Sequence, residues 1–241
     1  MIVLNYHELV SASPSNAWCL THKAFDAHLA LCGGTLVSPR TFLETCDDPK
    51  ASRTSEVLLT FDDGFLSDYT HVYARYAATG KIPGFMSFIP VDFVGAPGRM
   101  NWQMIEELSR NGITVGSHGM AHLDLTTVSD AQLEREVSVS KAVLEDRLGQ
   151  QVALFAFPYG RFSQRVWEAA LRAGYTRLFT IQLGNHRGFE SFLYSRLCLT
   201  NGMDAEYMRQ HLLDPDAMRG LAWKISTRLG LYRSLMRVRY R

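Results

Sequence analysis

Short apolar runs alternate along this chain with stretches whose apolar residues recur at helical spacing, and glycines punctuate the joins. Ile2 to Tyr6 reads as a strand that delivers His7 and Glu8 at its end. Leu58-Leu59-Thr60-Phe61 reads as a buried strand that stops at Asp62, Asp63 and the turn residue Gly64. Further strands are expected over Gly84 to Ile89, Ile113 to Gly116, Val152 to Phe157, Tyr175 to Ile181 and Leu193 to Leu199.

Helices are expected between them. Phe25, His28, Leu29 and Cys32 share a stripe ahead of Gly33, and Tyr69, Val72, Tyr73 and Tyr76 share another within Ser67 to Ala78, so these tyrosines read as core. Asn101 is a candidate N-cap for a helix that turns Trp102, Ile105 and Leu108 inward. Ser129 and Gln132 spell a capping box before a long helix with Leu133, Val137, Leu144 and Leu148 on one side; Glu134, Arg135 and Lys141 read as its solvated face. Ser163 caps a helix holding Val166, Trp167, Ala170 and Leu171. Asp47 to Ser55, polar and with a proline, reads as a loop. This regular alternation predicts an α/β fold.

Length and charge narrow the reading. With 241 residues, 46% of them apolar, the chain can build one α/β domain around a substantial core. A net charge of +1 gives no bias toward nucleic acid. The basic charge is unevenly spread: Ala217 to Arg241 holds seven Lys or Arg and no Asp or Glu. Within that stretch Ile225, Leu229, Tyr232 and Met236 recur at helical spacing, which suits a helix lying on an anionic membrane or engaging an acidic partner, or else an ordinary packed helix or frayed tail. The expected division is a body over 1–205 and a basic helical tail over 206–241, with any peripheral membrane contact through 223–241. Cys19, Cys32, Cys46 and Cys198 show no C-x-x-C spacing, so reduced thiols are expected. The N-terminus lacks the pattern of a signal peptide and no run of about 20 apolar residues occurs, so a cytoplasmic location is expected.

Reactive side chains collect at the strand ends. Two adjacent carboxylates repel each other, so a fold that holds both at the end of a buried strand tends to give them different jobs, such as metal ligand and base; a solvated acidic turn is the plain alternative. Ser117-His118-Gly119-Met120-Ala121-His122 ends another strand, and its two histidines can converge on one cation or be one packed and one exposed. In a barrel these ends share a face, where Asp63, His118 and His122 make an open divalent site. His7, taken alone, is either structural or an acid–base group.

Thr60-Phe61-Asp62-Asp63-Gly64, Ser117-His118-Gly119-Met120-Ala121-His122 and Phe157-Pro158-Tyr159-Gly160 resemble, in order and separation, the successive motifs of the polysaccharide deacetylases, the NodB-homology carbohydrate esterases. The resemblance runs to about Leu199 and implies a distorted, incomplete (β/α) barrel of about seven strands. It implies a hydrolase that removes acetyl groups from N-acetylated, sometimes O-acetylated, sugars with a divalent metal, expected to be zinc, although cobalt, nickel or iron fit the same ligands. By resemblance Asp63, His118 and His122 hold the metal and Asp62 is the base. By the same resemblance the backbone N–H of Tyr159, presented by the turn at Pro158, faces the oxyanion, and its ring either floors the sugar site or is structural.

Three departures shape the expectation. Many members carry an arginine ahead of the Pro-Tyr-Gly turn, where this chain has Ala156; Arg196 is the candidate to supply that charge. The Asp-x-x-Asp-Trp and Leu-x-His motifs are absent, and the second normally brings the acid for the leaving amine. Permuted members carry that histidine on the first strand, and Asn5-Tyr6-His7 resembles them, so His7 is the expected general acid, with His71 and His186 as weaker rivals. The expected partner is an N-acetylated glycan or a lipid- or nucleotide-linked sugar. An O-acetyl esterase and a sugar-binding pseudoenzyme are the alternatives.

Overall fold

The computed structural model describes residues 1–46, 56–80, 82–182 and 192–211. Ten strands occur among them: β1 (Ile2–Tyr6), β2 (Leu9–Val10), β3 (Leu20–Thr21), β4 (Val57–Asp62), β5 (Met86–Ile89), β6 (Thr114–Ser117), β7 (Leu154–Ala156), β8 (Arg177–Thr180), β9 (Leu193–Ser195) and β10 (Leu197–Cys198). Eight of them form one parallel sheet in the order β10-β1-β4-β5-β6-β7-β8-β9, and β2 pairs with β3 separately.

The two edges of that sheet are neighbours in the chain. β9 pairs with β8, β10 pairs with β1, and only Arg196 lies between them. Residues 193–198 therefore act as one kinked strand that draws the sheet round into a distorted barrel. Counted so, the barrel has seven strands, in line with the sequence.

Period-two alternation decides what faces the lumen. Val3, Leu58, Met86, Phe88, Leu154, Ala156 and Phe179 pack together inside with Phe42, while Leu4, Tyr6, Leu59, Phe61, Val115 and Phe155 belong to the larger core under the helices. A Cβ at Gly116 would stand 2.5 Å from the Phe88 ring, so the glycine is what lets that ring fill the barrel. The same alternation turns Asn5, Thr60 and Asp62 inward, three fully or nearly fully buried polar side chains toward the strands' C-terminal end.

The helices are α1 (His22–Cys32), α2 (Pro39–Thr45), α3 (Ala74–Thr79), α4 (Trp102–Arg110), α5 (Asp130–Glu134), α6 (Ser140–Leu148), α7 (Gln164–Arg172) and α8 (Ala205–His211). The expected caps form: Asn101 accepts from the Met104 N–H, Ser163 from Val166, and Ser129 with Gln132 makes a complete capping box. α1 starts ahead of its apolar stripe because Thr21 caps it through the Ala24 N–H.

Two expected helices are interrupted. A π-helical turn over Asp68–Tyr73 precedes α3, and another over Arg135–Val139 splits the long helix into α5 and α6. Lys141 is not on a solvated face: its ammonium pairs with Glu145 and donates to the Val152 carbonyl at 2.9 Å. Tyr69 and Tyr73 are only partly buried, and their hydroxyls reach Glu107. No helix among the described residues is long and apolar enough to cross a membrane. The loop expected over Asp47 to Ser55, His186 and the basic stretch 223–241 lie outside the described residues.

Candidate active site

Asp62 is the last residue of β4, on the inward face, and Asp63 is the first residue past it, in a left-handed conformation (φ 72°) that Gly64 continues. Adjacent carboxylates thus point differently, and they meet different partners. Asp62 is gripped by Arg196, whose two terminal nitrogens donate to its two oxygens at 2.7 Å each. Asn5 donates to Asp62 at 3.0 Å and accepts from Arg196 and from the Thr60 hydroxyl. Burial pushes the Asp62 carboxyl up, but Arg196 and His118 more than offset it and hold the group well below the usual carboxylate range.

Asp63, His118 and His122 converge. One ligand atom from each lies within 4.8 Å of the other two. His122 Nε2 is 3.3 Å and His118 Nε2 is 3.7 Å from Asp63 Oδ1, an oxygen that is buried and accepts no hydrogen bond. His118 Nδ1 lies 2.7 Å from the Ala156 carbonyl, so the N–H donated there leaves Nε2 with its lone pair toward Asp63. Burial lowers the His118 pKa to about 4 despite Asp62, so the ring is neutral near neutral pH. An orphaned buried carboxylate oxygen facing two imidazole nitrogens, one of them oriented from behind, fits a divalent cation.

The two loops that carry Asp63, His118 and His122 are fixed by residues that sequence patterns do not single out. The π turn brings Glu136 inward, where its buried carboxylate accepts the N–H groups of Met120 (2.9 Å) and Ala121 (3.1 Å), inside the loop between the two histidines. Gly119 lacks the Cβ that would come within 2.7 Å of Glu136. Arg99 lies over the Phe65 ring and donates to the Asp63 carbonyl at 2.8 Å, bracing the left-handed turn. Asn5 had one legible signal, a polar residue at an inward position of an apolar strand.

His7 follows β1 and lines the same cleft of about 230 Å³ as Asp62, Asp63, His118, His122 and Tyr159. Burial lowers its pKa, opposed by Asp62 and Asp63. Cys198, whose thiol burial pushes up to about 12, places its sulfur 3.9 Å from His7 Nδ1. Pro158 and Gly160 flank Tyr159, which takes φ 58° on a one-turn helix, with its ring against His122. Arg196 does lie under the site, fully buried. His71 does not line the cleft; its ring stacks on His22 at 3.8 Å.

The polysaccharide deacetylase family profile matches residues 50–178, which include Asp62, Asp63, His118, His122 and Tyr159. The chain is 28% identical over 189 residues to YxkH of Bacillus subtilis (strain 168), covering 76% of this chain and 64% of that protein. It is 29% identical over 133 residues to the peptidoglycan-N-acetylmuramic acid deacetylase PdaA of the same organism, covering 53% of this chain and 47% of PdaA. The chain therefore spans less than two thirds of the length of either relative. In fold it resembles the Streptococcus pyogenes deacetylase PplD, solved with acetate, at a TM-score of 0.74 and 21% identity, covering 89% of this chain and 98% of that one. The profile covers more than half of the sequence, and the carboxylates and imidazoles gathered at the barrel mouth fall inside it: the chain belongs to the polysaccharide deacetylase family.

Proposed function

We propose that this protein is a metal-dependent hydrolase that removes the acetyl group from an N-acetylated saccharide. The observation that carries the reading is the meeting of Asp63, His118 and His122 beside an Asp62 that is held ionised. A divalent cation held by those three residues supplies a Lewis acid that makes water acidic enough to be a nucleophile near neutral pH and polarises the acetyl carbonyl.

The chain's own residues do the rest. Asp62 accepts the proton of the attacking water as the carbon–oxygen bond forms, and Arg196 with Asn5 keeps its oxygens aimed. The Tyr159 N–H donates to the oxyanion that develops on the acetyl oxygen. His7 gives a proton to the amide nitrogen as the carbon–nitrogen bond breaks, releasing the amine and acetate.

The test measures metal content and acetate release from an N-acetylated chitooligosaccharide, for the wild type and for Asp62→Asn. A protein that takes up one equivalent of zinc, releases acetate, loses that activity to a chelator and loses it in Asp62→Asn fits the reading. Zinc uptake with no acetate from any N- or O-acetylated sugar overturns it in favour of a sugar-binding protein.

A further inference from the structure

The cleft has a wall that does not come from the barrel. His7, Glu8, Asn16 and Trp18 line it, and the last three belong to the excursion between β1 and α1, residues 8–21. That excursion is pinned at both ends. At its base β2 and β3 pair, the Leu20 N–H donates to the Glu8 carbonyl at 2.9 Å, and the Leu9 N–H donates to Ser67 Oγ at 3.1 Å. At its tip the Trp18 N–H donates to Asn16 Oδ1 at 2.9 Å, and Asn201 clasps the Ala17 and Asn16 carbonyls at 2.9 and 3.0 Å. Such fixing costs chain entropy, and what it presents is an indole beside His7.

Beside the three imidazoles, Trp18, Phe65 and Tyr159 line the cleft, and they differ in their ring neighbours. Phe65 carries the Arg99 guanidinium 3.5 Å above its centroid. Tyr159 meets His122 edge-to-face, has the Arg161 guanidinium 5.9 Å from its centroid, and is 39% exposed. Trp18 meets His7 at a 41° tilt with centroids 5.7 Å apart, so the two rings are not stacked in parallel. An indole in this cleft, with Glu8 and Asn16 among the other lining residues, suits a ligand that is apolar on one side and hydroxylated on its rim. A pyranose ring has that form.

We propose that Trp18 is a substrate-binding residue, the platform on which the sugar ring stacks, with residues 8–21 acting as the specificity wall. The inference rests on the proposed function only in taking an N-acetylated hexosamine as the ligand.

The probe is fully acetylated chitotetraose, its binding measured by calorimetry on the full chain with a chelator present, and its acetate release measured separately with metal. Trp18→Phe keeps a flat face, while Trp18→Leu and Trp18→Ala remove it. Binding about tenfold or more weaker in Trp18→Leu and Trp18→Ala, with Trp18→Phe close to wild type, supports the platform; one good aromatic stack is worth about that factor. Equal binding by all four proteins, equal loss in all three variants, or no binding by the wild type overturns it. Trp18-dependent binding without acetate release sinks the hydrolase reading and leaves this one standing, whereas acetate release with Trp18-independent binding does the reverse. Matching circular dichroism spectra for the Phe and Leu variants exclude misfolding as the cause.

Discussion

Arg196 and Asp62 are 134 residues apart in sequence and form a two-point ion pair inside the barrel, at 2.7 Å on each side. Neither side chain is more than 3% exposed, so neither charge has water to fall back on. Removing the cation strands a buried carboxylate, and Arg196→Met should destabilise the protein by about 3–5 kcal/mol in urea unfolding. With its cation gone, Asp62 titrates at higher pH, so the acid limb of the pH–rate profile moves up. Arg196→Lys, which keeps the charge but loses the fork, should fall between. A pH profile that does not move in Arg196→Met denies Asp62 its role as base.

Acid should loosen the metal-free protein in a defined window. His118 has a pKa of about 4 when folded, and near 6.5 when unfolded. Between those values the unfolded chain binds the extra proton, so stability rises as pH goes from 4 to 6.5 and levels off above, by about 3 kcal/mol in all. Asp62, with its depressed pKa, contributes stability that is fully present above about pH 4 and is lost only as the pH falls below that toward its folded value. Melting curves of chelated protein should show the slope in the wild type and lose most of it in His118→Gln.

Deacetylation should depend on His7 more than ester cleavage does. His7→Gln should slow acetate release from an N-acetylated sugar by about 10²–10⁴, the range for a positioned proton donor. An aryl acetate, whose leaving group departs without a proton, should lose far less. Equal losses on both substrates would assign His7 to binding instead.

Metal affinity should respond to Glu136, although it is not a candidate ligand. Its carboxylate holds the Met120 and Ala121 amides between the two histidines. Glu136→Gln turns a donor toward amides that need an acceptor, and should weaken zinc binding about 10–100-fold in a competition titration. Gly119→Ala should do the same from the other side, since its Cβ would approach Glu136 to 2.7 Å at a φ of 83°.

What could be read in advance followed from periodicity and from residue type. Asp62, Asp63, His118 and His122 stand at the ends of apolar runs, and a strand that terminates in acids or imidazoles announces both its own direction and the face it serves. Arg196 was visible as a replacement charge only through the family resemblance, whose members carry an arginine where this chain has Ala156. Glu136, Arg99 and Asn5 were not visible as functional. Glu136 sits in a charged stretch like that of any solvated helix, and only the π turn rotates it inward. Trp18 escaped because its segment has neither period: it is shaped by an asparagine turn and by bonds to Asn201, a partner 185 residues from Asn16.

The interruption of the last strand at Arg196 ties assembly to chemistry. Until residues 193–198 insert between Thr180 and Asn5, the lumen holds an aspartate with no counter-ion, and the ring stays open on the side where His7 stands. A chain caught before that insertion would have Asp63, His118 and His122 already placed just past the ends of β4 and β6, yet would lack the Arg196 partner of Asp62. Such a species would capture zinc without turning over, so metal uptake during refolding should run ahead of the return of activity.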